Sequence, residues 1–249
     1  MKKGSLKVVV PARLGSTRVK VKSLRLLHGK PLIEYILDTL KQTKELTDIY
    51  INSDSDLFGT IAERNDVKFY KRKPELATSA SLIDEYIYDF MVNEPSDYLA
   101  IVNPTSPFIE PEDLDNAVQY YLSNDFDTLL SCEKIQTHCF YQGKTINFSR
   151  IGLHPRSQDL EPVLALNFAI TIMDCKKYMA NYENLGWGLY TGNLGFFTTD
   201  GNANIDIDYE EDFVFAEFIA KFLASGEKVE ATYSDVVQSL IDNNVKTEN

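Results

Sequence analysis

Apolar and polar positions fall into short blocks along this chain, and the period changes from strand-like to helix-like and back. Residues 6–10 form a nearly unbroken apolar run closed by Pro11, the pattern of a strand buried on both faces. Pro31 suits a helix's first turn, because its missing N–H costs nothing there. Behind it Leu32, Ile33, Ile36, Leu37 and Leu40 recur at helical spacing. Residues 48–52 read as a second strand, Ser55 as the cap of a helix running to Arg64, and 67–70 as a short third strand. A helix over 82–91 sets Ile83, Tyr86, Ile87 and Phe90 on one face, and a strand at 98–102 follows. Pro111 then opens a helix to Ser123 with Leu114, Ala117, Val118 and Tyr121 inward, ahead of a strand at 128–132. This alternation predicts an α/β fold, with a mostly parallel sheet covered by helices on both faces.

The rhythm breaks after Lys134. Residues 136–165 are polar, with turn signals at Gly143, Gly152 and Pro155, and the stretches 140–142 and 145–148 are expected to pair across Gly143-Lys144. Strands return at 166–173 and 194–198 with a short helix at 176–182 between them. An extended segment, 204–208, leads into a helix over 210–223 with Phe213, Ala216, Ile219, Ala220 and Leu223 inward. A last helix is expected from Ser234 to Asp242, with a fraying end at 243–249.

Charge sharpens this picture. The 249 residues carry a formal charge of −12, yet residues 1–33 hold nine Lys/Arg and no acid, leaving 16 basic against 37 acidic residues in the remainder. The loop behind the first strand carries Arg13, Gly15, Ser16, Arg18, Lys20, Lys22, Arg25 and Lys30. A buried strand feeding a cationic loop with small residues is a place to hold polyphosphate, since backbone N–H groups and Arg/Lys converge on oxygens. The alternative is a solvated basic tail. The acidity of the rest argues against nucleic acid and anionic membranes as partners, and no apolar run reaches the roughly 20 residues of a membrane span. No signal-peptide core precedes the first strand, so a cytoplasmic location is expected. Cys132, Cys139 and Cys175 match no zinc spacing and read as reduced and mostly buried.

Two further clusters carry chemistry. In Asn204-Ile205-Asp206-Ile207-Asp208, alternate residues of an extended segment point the same way, so both carboxylates can face one point across a buried Ile207. Paired oxygen ligands suit Mg²⁺, with waters and phosphates completing its shell; the competing reading is a capping pair for the next helix. Asn103-Pro104-Thr105-Ser106-Pro107 sits at a strand's carboxyl end, where open α/β sheets bind ligands. Asn103, Thr105 and Ser106 can hydrogen-bond a polyol there, or the segment is a plain turn held by two prolines.

In this order and at these separations the clusters resemble the cytidylyltransferases that activate acidic sugars, of the CMP-sialic acid (acylneuraminate) synthetase type. Pro11-Ala12-Arg13-x-Gly15-Ser16, Lys22 and Gly29-Lys30-Pro31-Leu32-Ile33 look like that family's nucleotide-binding signature. Glu75-Leu76-Ala77, Pro104-Thr105-Ser106-Pro107, Arg156-x-Gln158-Asp159-Leu160 with Asn167-x-Ala169, and Asp206-Ile207-Asp208 with Glu211-Asp212 and Ala216-Glu217 are similar to its later segments. The resemblance implies a three-layer, Rossmann-like sheet of the nucleotide-diphospho-sugar-transferase kind, with a small protruding dimerisation subdomain. The expected division is a nucleotide-binding core, 1–135 and 190–249, and a protrusion, 136–189, that completes a neighbour's sugar site in a homodimer. The implied reaction is attack of the sugar's anomeric hydroxyl on the α-phosphate of CTP, with release of pyrophosphate. Arg13, Ser16 and Lys22 would hold the triphosphate beside Ala12, Gly15 and Ser23, and Lys22 would stabilise charge in the transition state. Arg72, Lys73 and Ser79 would lie near base or ribose. Asn103, Thr105, Ser106, Arg156, Gln158 and Asn167 would face the acceptor. Asp206 and Asp208 would hold Mg²⁺, with Asp208 counted among the catalytic groups beside Arg13 and Lys22.

The sequence departs from the family pattern at several places. Ser23 replaces the usual Asn, and Lys73 rather than Arg precedes Pro74, with Arg72 one earlier. An Asp is missing near Ser79, Asn103 replaces Gln, Phe108-Ile109 stand where an Arg is frequent, and Phe168 replaces Gly. Most of these line the base or acceptor side, which leaves a phosphonate or other non-sialic acceptor as an alternative. A glycosyltransferase using a nucleotide sugar, and a nucleotide-binding paralogue without turnover, are the other readings.

Overall fold

The computed structural model of the chain describes residues 2–15, 18–230 and 232–242. Ser16 and the fraying end expected at 243–249 lie outside the described residues. In chain order the elements are β1 (Leu6–Pro11), β2 (Leu26–Leu27), β3 (Lys30–Pro31), α1 (Leu32–Gln42), β4 (Asp48–Ser53), α2 (Asp56–Arg64), β5 (Lys68–Lys71), α3 (Ile83–Asn93), β6 (Tyr98–Val102) and α4 (Pro111–Ser123). There follow β7 (Thr128–Ile135), β8 (Phe140–Tyr141), β9 (Lys144–Thr145), β10 (Val163–Asp174), α5 (Cys175–Leu185), β11 (Leu194–Thr198), α6 (Glu210–Ser225) and α7 (Asp235–Asp242).

Seven strands make one sheet in the order β11-β7-β10-β6-β1-β4-β5. Every neighbouring pair is parallel except those of β10, which runs antiparallel to both β6 and β7. The triple valine of β1 explains the layering. Val8 and Val10 point into a core with Ile36, Leu37, Phe58 and Leu114 from α1, α2 and α4. Val9 points the other way, into a core with Ile87, Phe90 and Tyr178 from α3 and α5. A strand buried on both faces therefore has to read as continuously apolar. Truncating Ile36 or Phe90, both fully buried, to Ala is expected to cost about 2–5 kcal/mol.

Strand order reverses at β1. The chain moves through β4 to β5 on one side, then returns through α3 to β6 on the other. Such a switch point opens a crevice beyond the strands' carboxyl ends. Pro11 and Asn103 sit at its two lips.

Helix ends follow local chemistry. Ser55 Oγ accepts from the Leu57 amide at 3.3 Å and starts α2. Asp212 Oδ2 accepts from the amides of Asp208 and Tyr209 at 2.9 and 2.7 Å and starts α6. Pro31 precedes α1 as its cap rather than standing inside it.

Three expectations need correction. The excursion from the sheet is shorter than 136–189: β10 and α5 belong to the core, and 136–162 alone lies outside it. The polar first half of β10 reads as loop because it pairs antiparallel at β7's far end, with Val163 opposite Ile135. The small hairpin turns at Gln142-Gly143, not Gly143-Lys144. Both residues have positive φ, +48° and +77°, the geometry of a two-residue type I′ turn. The cysteines are mostly buried, as expected: Cys132 and Cys175 fully, Cys139 in part. Leu223 is half exposed rather than inward, because α6 buries a narrow stripe of Phe213, Ala216 and Ala220.

Candidate active site

The crevice at the switch point is a cleft of about 360 Å³. One wall is the basic loop after β1, with Pro11, Ala12, Arg13, Arg18, Lys22 and Ser23. A second is the segment 72–86, with Arg72, Thr78, Ser79, Ser81 and Tyr86. The third is the end of β6, with Asn103, Pro104 and Thr105. At Gly15, open space surrounds the position a side chain would take, so a ligand can approach the backbone there.

The basic loop is held from across the chain by α6 and the segment before it. Lys22 Nζ donates to the Ile207 carbonyl and lies 3.3 Å from Asp208 Oδ1. Arg18 Nη1 reaches Asp208 Oδ2 at 3.0 Å. Arg25 pairs with Glu210 and stacks on Phe213 at 4.2 Å. Glu217 accepts from the His28 amide at 2.6 Å, fixing the His28-Gly29 turn between β2 and β3. Ile207 is fully buried and anchors the segment, and its amide donates to the Thr105 carbonyl at 2.8 Å. The first basic loop, the strand-end loop and the late aspartates thus meet at one edge of the cleft.

Burial raises the Asp206 carboxyl above its ordinary value, opposed by the Thr105 side chain and assisted by the neighbouring Asp208 charge. Among the described residues no group of three or more His, Cys, Asp or Glu gathers at one point. Two carboxylates one residue apart remain, a donor set that suits an ion keeping most of its waters and sharing a ligand's phosphates. Arg13 Nη1 donates to the Thr78 carbonyl at 2.7 Å and joins the first two walls.

On the second wall Arg72 is 4% exposed. Its guanidinium lies 4.1 Å from the Tyr86 ring centroid and donates through Nε to Asn52 Oδ1 at 2.7 Å and through Nη2 to the Asn52 carbonyl at 2.9 Å. Burial pulls it down from its ordinary pKa. Lys73 does not line this wall: it pairs with Asp89 at 2.5 Å on the outside. Alternation along an extended chain turns one of two adjacent residues inward, and here that is Arg72.

Three expected acceptor residues lie apart from the cleft. Arg156 makes a two-pronged ion pair with Asp159 at 2.8 and 3.0 Å in the protruding segment, where Gln158 is also exposed. Asn167 accepts from Ser131 Oγ at 2.5 Å and donates to Thr199 Oγ1 at 2.7 Å, stitching an irregularity in β10. Within that irregularity Phe168 has φ +54°, and its carbonyl accepts from Asn103 Nδ2 at 2.6 Å. Ser106, a fourth, is fully buried and does not line the cleft. Sequence reasoning placed Arg18 in the basic loop without a role of its own, and it missed Asn52, Thr78 and Tyr86. Tyr86 shares the spacing of Ile87 and Phe90 and reads as core, and nothing around Asn52 marks it.

The chain is similar to several known proteins. A family model described as cytidylyltransferase matches residues 7–161. The N-acylneuraminate cytidylyltransferase of Streptococcus agalactiae serotype V is 26% identical over 215 residues, 83% of this chain and 51% of that protein. The CMP-N,N'-diacetyllegionaminic acid synthase of Legionella pneumophila is 31% identical over 119 residues, 45% of this chain and 51% of that protein. The chain therefore spans about half the length of these relatives. Among solved structures, a CMP:2-keto-3-deoxy-manno-octonic acid synthetase complexed with CTP superposes with a TM-score of 0.68 at 16% identity, covering 88% of this chain and 99% of that one. No helix among the described residues is long and apolar enough to cross a membrane.

Proposed function

The chain belongs to the cytidylyltransferase family, and from that premise we propose that it transfers CMP from CTP to the hydroxyl of an acidic sugar, releasing pyrophosphate. The observation that carries this reading is the meeting of Lys22 with Ile207 and Asp208 at the cleft's edge, across 185 and 186 residues of chain. It sets a fixed cation beside a carboxylate pair at the mouth of a pocket large enough for a nucleotide.

In this reading Arg13, Lys22 and the backbone around Gly15 bind the triphosphate. Lys22 is placed by the Ile207 carbonyl before substrate arrives, and it meets charge growing on the α-phosphoryl oxygens once the triphosphate has taken the place of Asp208. The acceptor oxygen forms a bond to the α-phosphorus as the α–β anhydride bond breaks, and the hydroxyl proton is lost. Arg72 and Ser79 face the base and ribose, and Asn103 and Thr105 face the acceptor. Asp206 and Asp208 would hold Mg²⁺, which supplies charge neutralisation to the phosphates when bound. The segment 136–162, with Phe140, Tyr141, Ile151 and Leu153 exposed, would pair two copies and bring Arg156 and Gln158 to a neighbour's acceptor site. Three unpaired cysteines fit a reducing, cytoplasmic setting.

The test is a pyrophosphate-release screen across nucleotides and acidic sugars, with sialic-type, octonic and phosphonate acceptors. CTP-dependent release with a carboxylated sugar is expected. Absence of release with every acceptor and nucleotide tried, under conditions where the chain binds CTP, would remove the assignment of turnover.

A further inference from the structure

Arg72 presents an unusual arrangement for a buried cation. Among the described residues no carboxylate lies within ion-pair distance of it, and its guanidinium bonds go to the side chain and carbonyl of one neutral residue, Asn52. Asn52 is fully buried, at the carboxyl end of β4 beside Pro11 of β1. Its Nδ2 is buried with no partner among the described residues. Exchanging the amide's oxygen and nitrogen would set N–H against the N–H of Arg72 Nε, so the guanidinium dictates which way the amide faces. A buried donor left unpaired is costly and rare. The fold accepts it to keep a neutral oxygen on Arg72. An aspartate of the same size would grip the guanidinium more strongly and cancel its charge.

We infer that Asn52 is a positioning residue: it holds Arg72 under Tyr86 at the cleft wall without neutralising it, reserving the guanidinium for the carbonyl edge of the nucleotide's pyrimidine base. Two of the five guanidinium donors have partners among the described residues, which leaves a charged donor edge for a ligand. The stacked Tyr86 ring restricts that edge to one plane, as hydrogen bonding to a planar base requires. The inference rests on the proposed use of CTP.

The test compares calorimetric binding of CTP and of inorganic tripolyphosphate to wild type and Asn52→Asp, with Tm alongside. Tripolyphosphate engages Arg13 and Lys22 but offers no base. Asn52→Asp is expected to weaken CTP at least tenfold, leave tripolyphosphate within twofold, and keep or raise Tm. In steady state the KM for CTP should rise far more than kcat falls. CTP affinity within threefold of wild type would overturn the assignment. Should Asn52→Asp not fold, Asn52→Ser decides: its preference for CTP over tripolyphosphate should fall at least fivefold, and an unchanged preference overturns it. A wild-type chain that binds tripolyphosphate as tightly as CTP removes the reading of the cleft itself. A wild type that prefers CTP, beside an Asn52→Asp with the same preference, removes only the role of Asn52.

Discussion

Asp208 faces two cations before any ligand arrives, and replacing it separates its roles. Lys22 is largely buried while Asp208 is 38% exposed, at 3.3 Å. Screening at that exposure holds the pair to about 0.2–1 kcal/mol. Arg18, on the solvent side, adds to the same carboxylate at 3.0 Å. A triphosphate reaching Lys22 must displace Asp208, so the pair opposes metal-free nucleotide by up to ~1 kcal/mol, about fivefold in Kd. In Asp208→Asn that opposition is gone while the Asp208 amide still caps α6 through Asp212. CTP titrated in EDTA should bind Asp208→Asn up to about fivefold tighter than wild type. With Mg²⁺ present the order should reverse: wild type tightens, the variant does not, and its turnover falls by about 10²–10³. Loss of the pair should lower Tm by at most about 2–4 °C. Unchanged or weaker CTP binding by the variant in EDTA would refute the argument, because Lys22 would then not be restrained by Asp208.

Other perturbations test separate parts of the molecule. Lys22→Ala should lower turnover by about 10²–10³ or more with the far-UV circular dichroism unchanged; a near-normal rate would remove its role at the α-phosphate. Glu94 accepts from the Tyr50 hydroxyl at 2.7 Å and from Lys7 at 2.9 Å, which together hold its carboxyl below the ordinary value near 4.5. Its contribution to stability is therefore fully present above that value and is lost as pH falls through the depressed one. Acid denaturation of Glu94→Gln should be flatter over that range, and an unchanged profile would show the carboxylate to be idle. At Phe168, with φ +54°, Phe168→Gly should be more stable than Phe168→Ala by about 1 kcal/mol, read as a Tm about 2–4 °C higher. Equal Tm values would mean that the backbone there relaxes.

The parallel half of the fold was legible because burial on both faces leaves a simple mark. Val8, Val9 and Val10 have no polar interruption, and α4 carries its start in Pro111 and its inner face in Leu114, Ala117, Val118 and Tyr121. β10 was only half legible. Its second half crosses the core as Ala169 to Met173, but its first half has solvent on one side and an irregularity at Phe168. Period-based reading fails where a strand changes both its environment and its register. The same break makes the protrusion read longer in the sequence than it is in the fold.

The site divides along a different line. Arg13, Lys22, Asp206 and Asp208 are visible because unlike charges clustered at opposite ends of an acidic chain need an explanation. Asn52 and Tyr86 are invisible for the converse reason: each satisfies a core pattern, one in a strand and one in a helix, and acquires meaning only beside Arg72. Arg72 itself shows why. In the sequence it is one of three adjacent cations, Lys71, Arg72 and Lys73, and charge alone cannot rank them. The exposed lysines reach Asp56 on the surface and the buried Asp89 at 2.5 Å each, while the arginine turns inward to a neutral amide. Each lysine has a carboxylate in ion-pair contact, so the member of the run with none at that distance among the described residues is the one whose charge remains available to a ligand in the cleft.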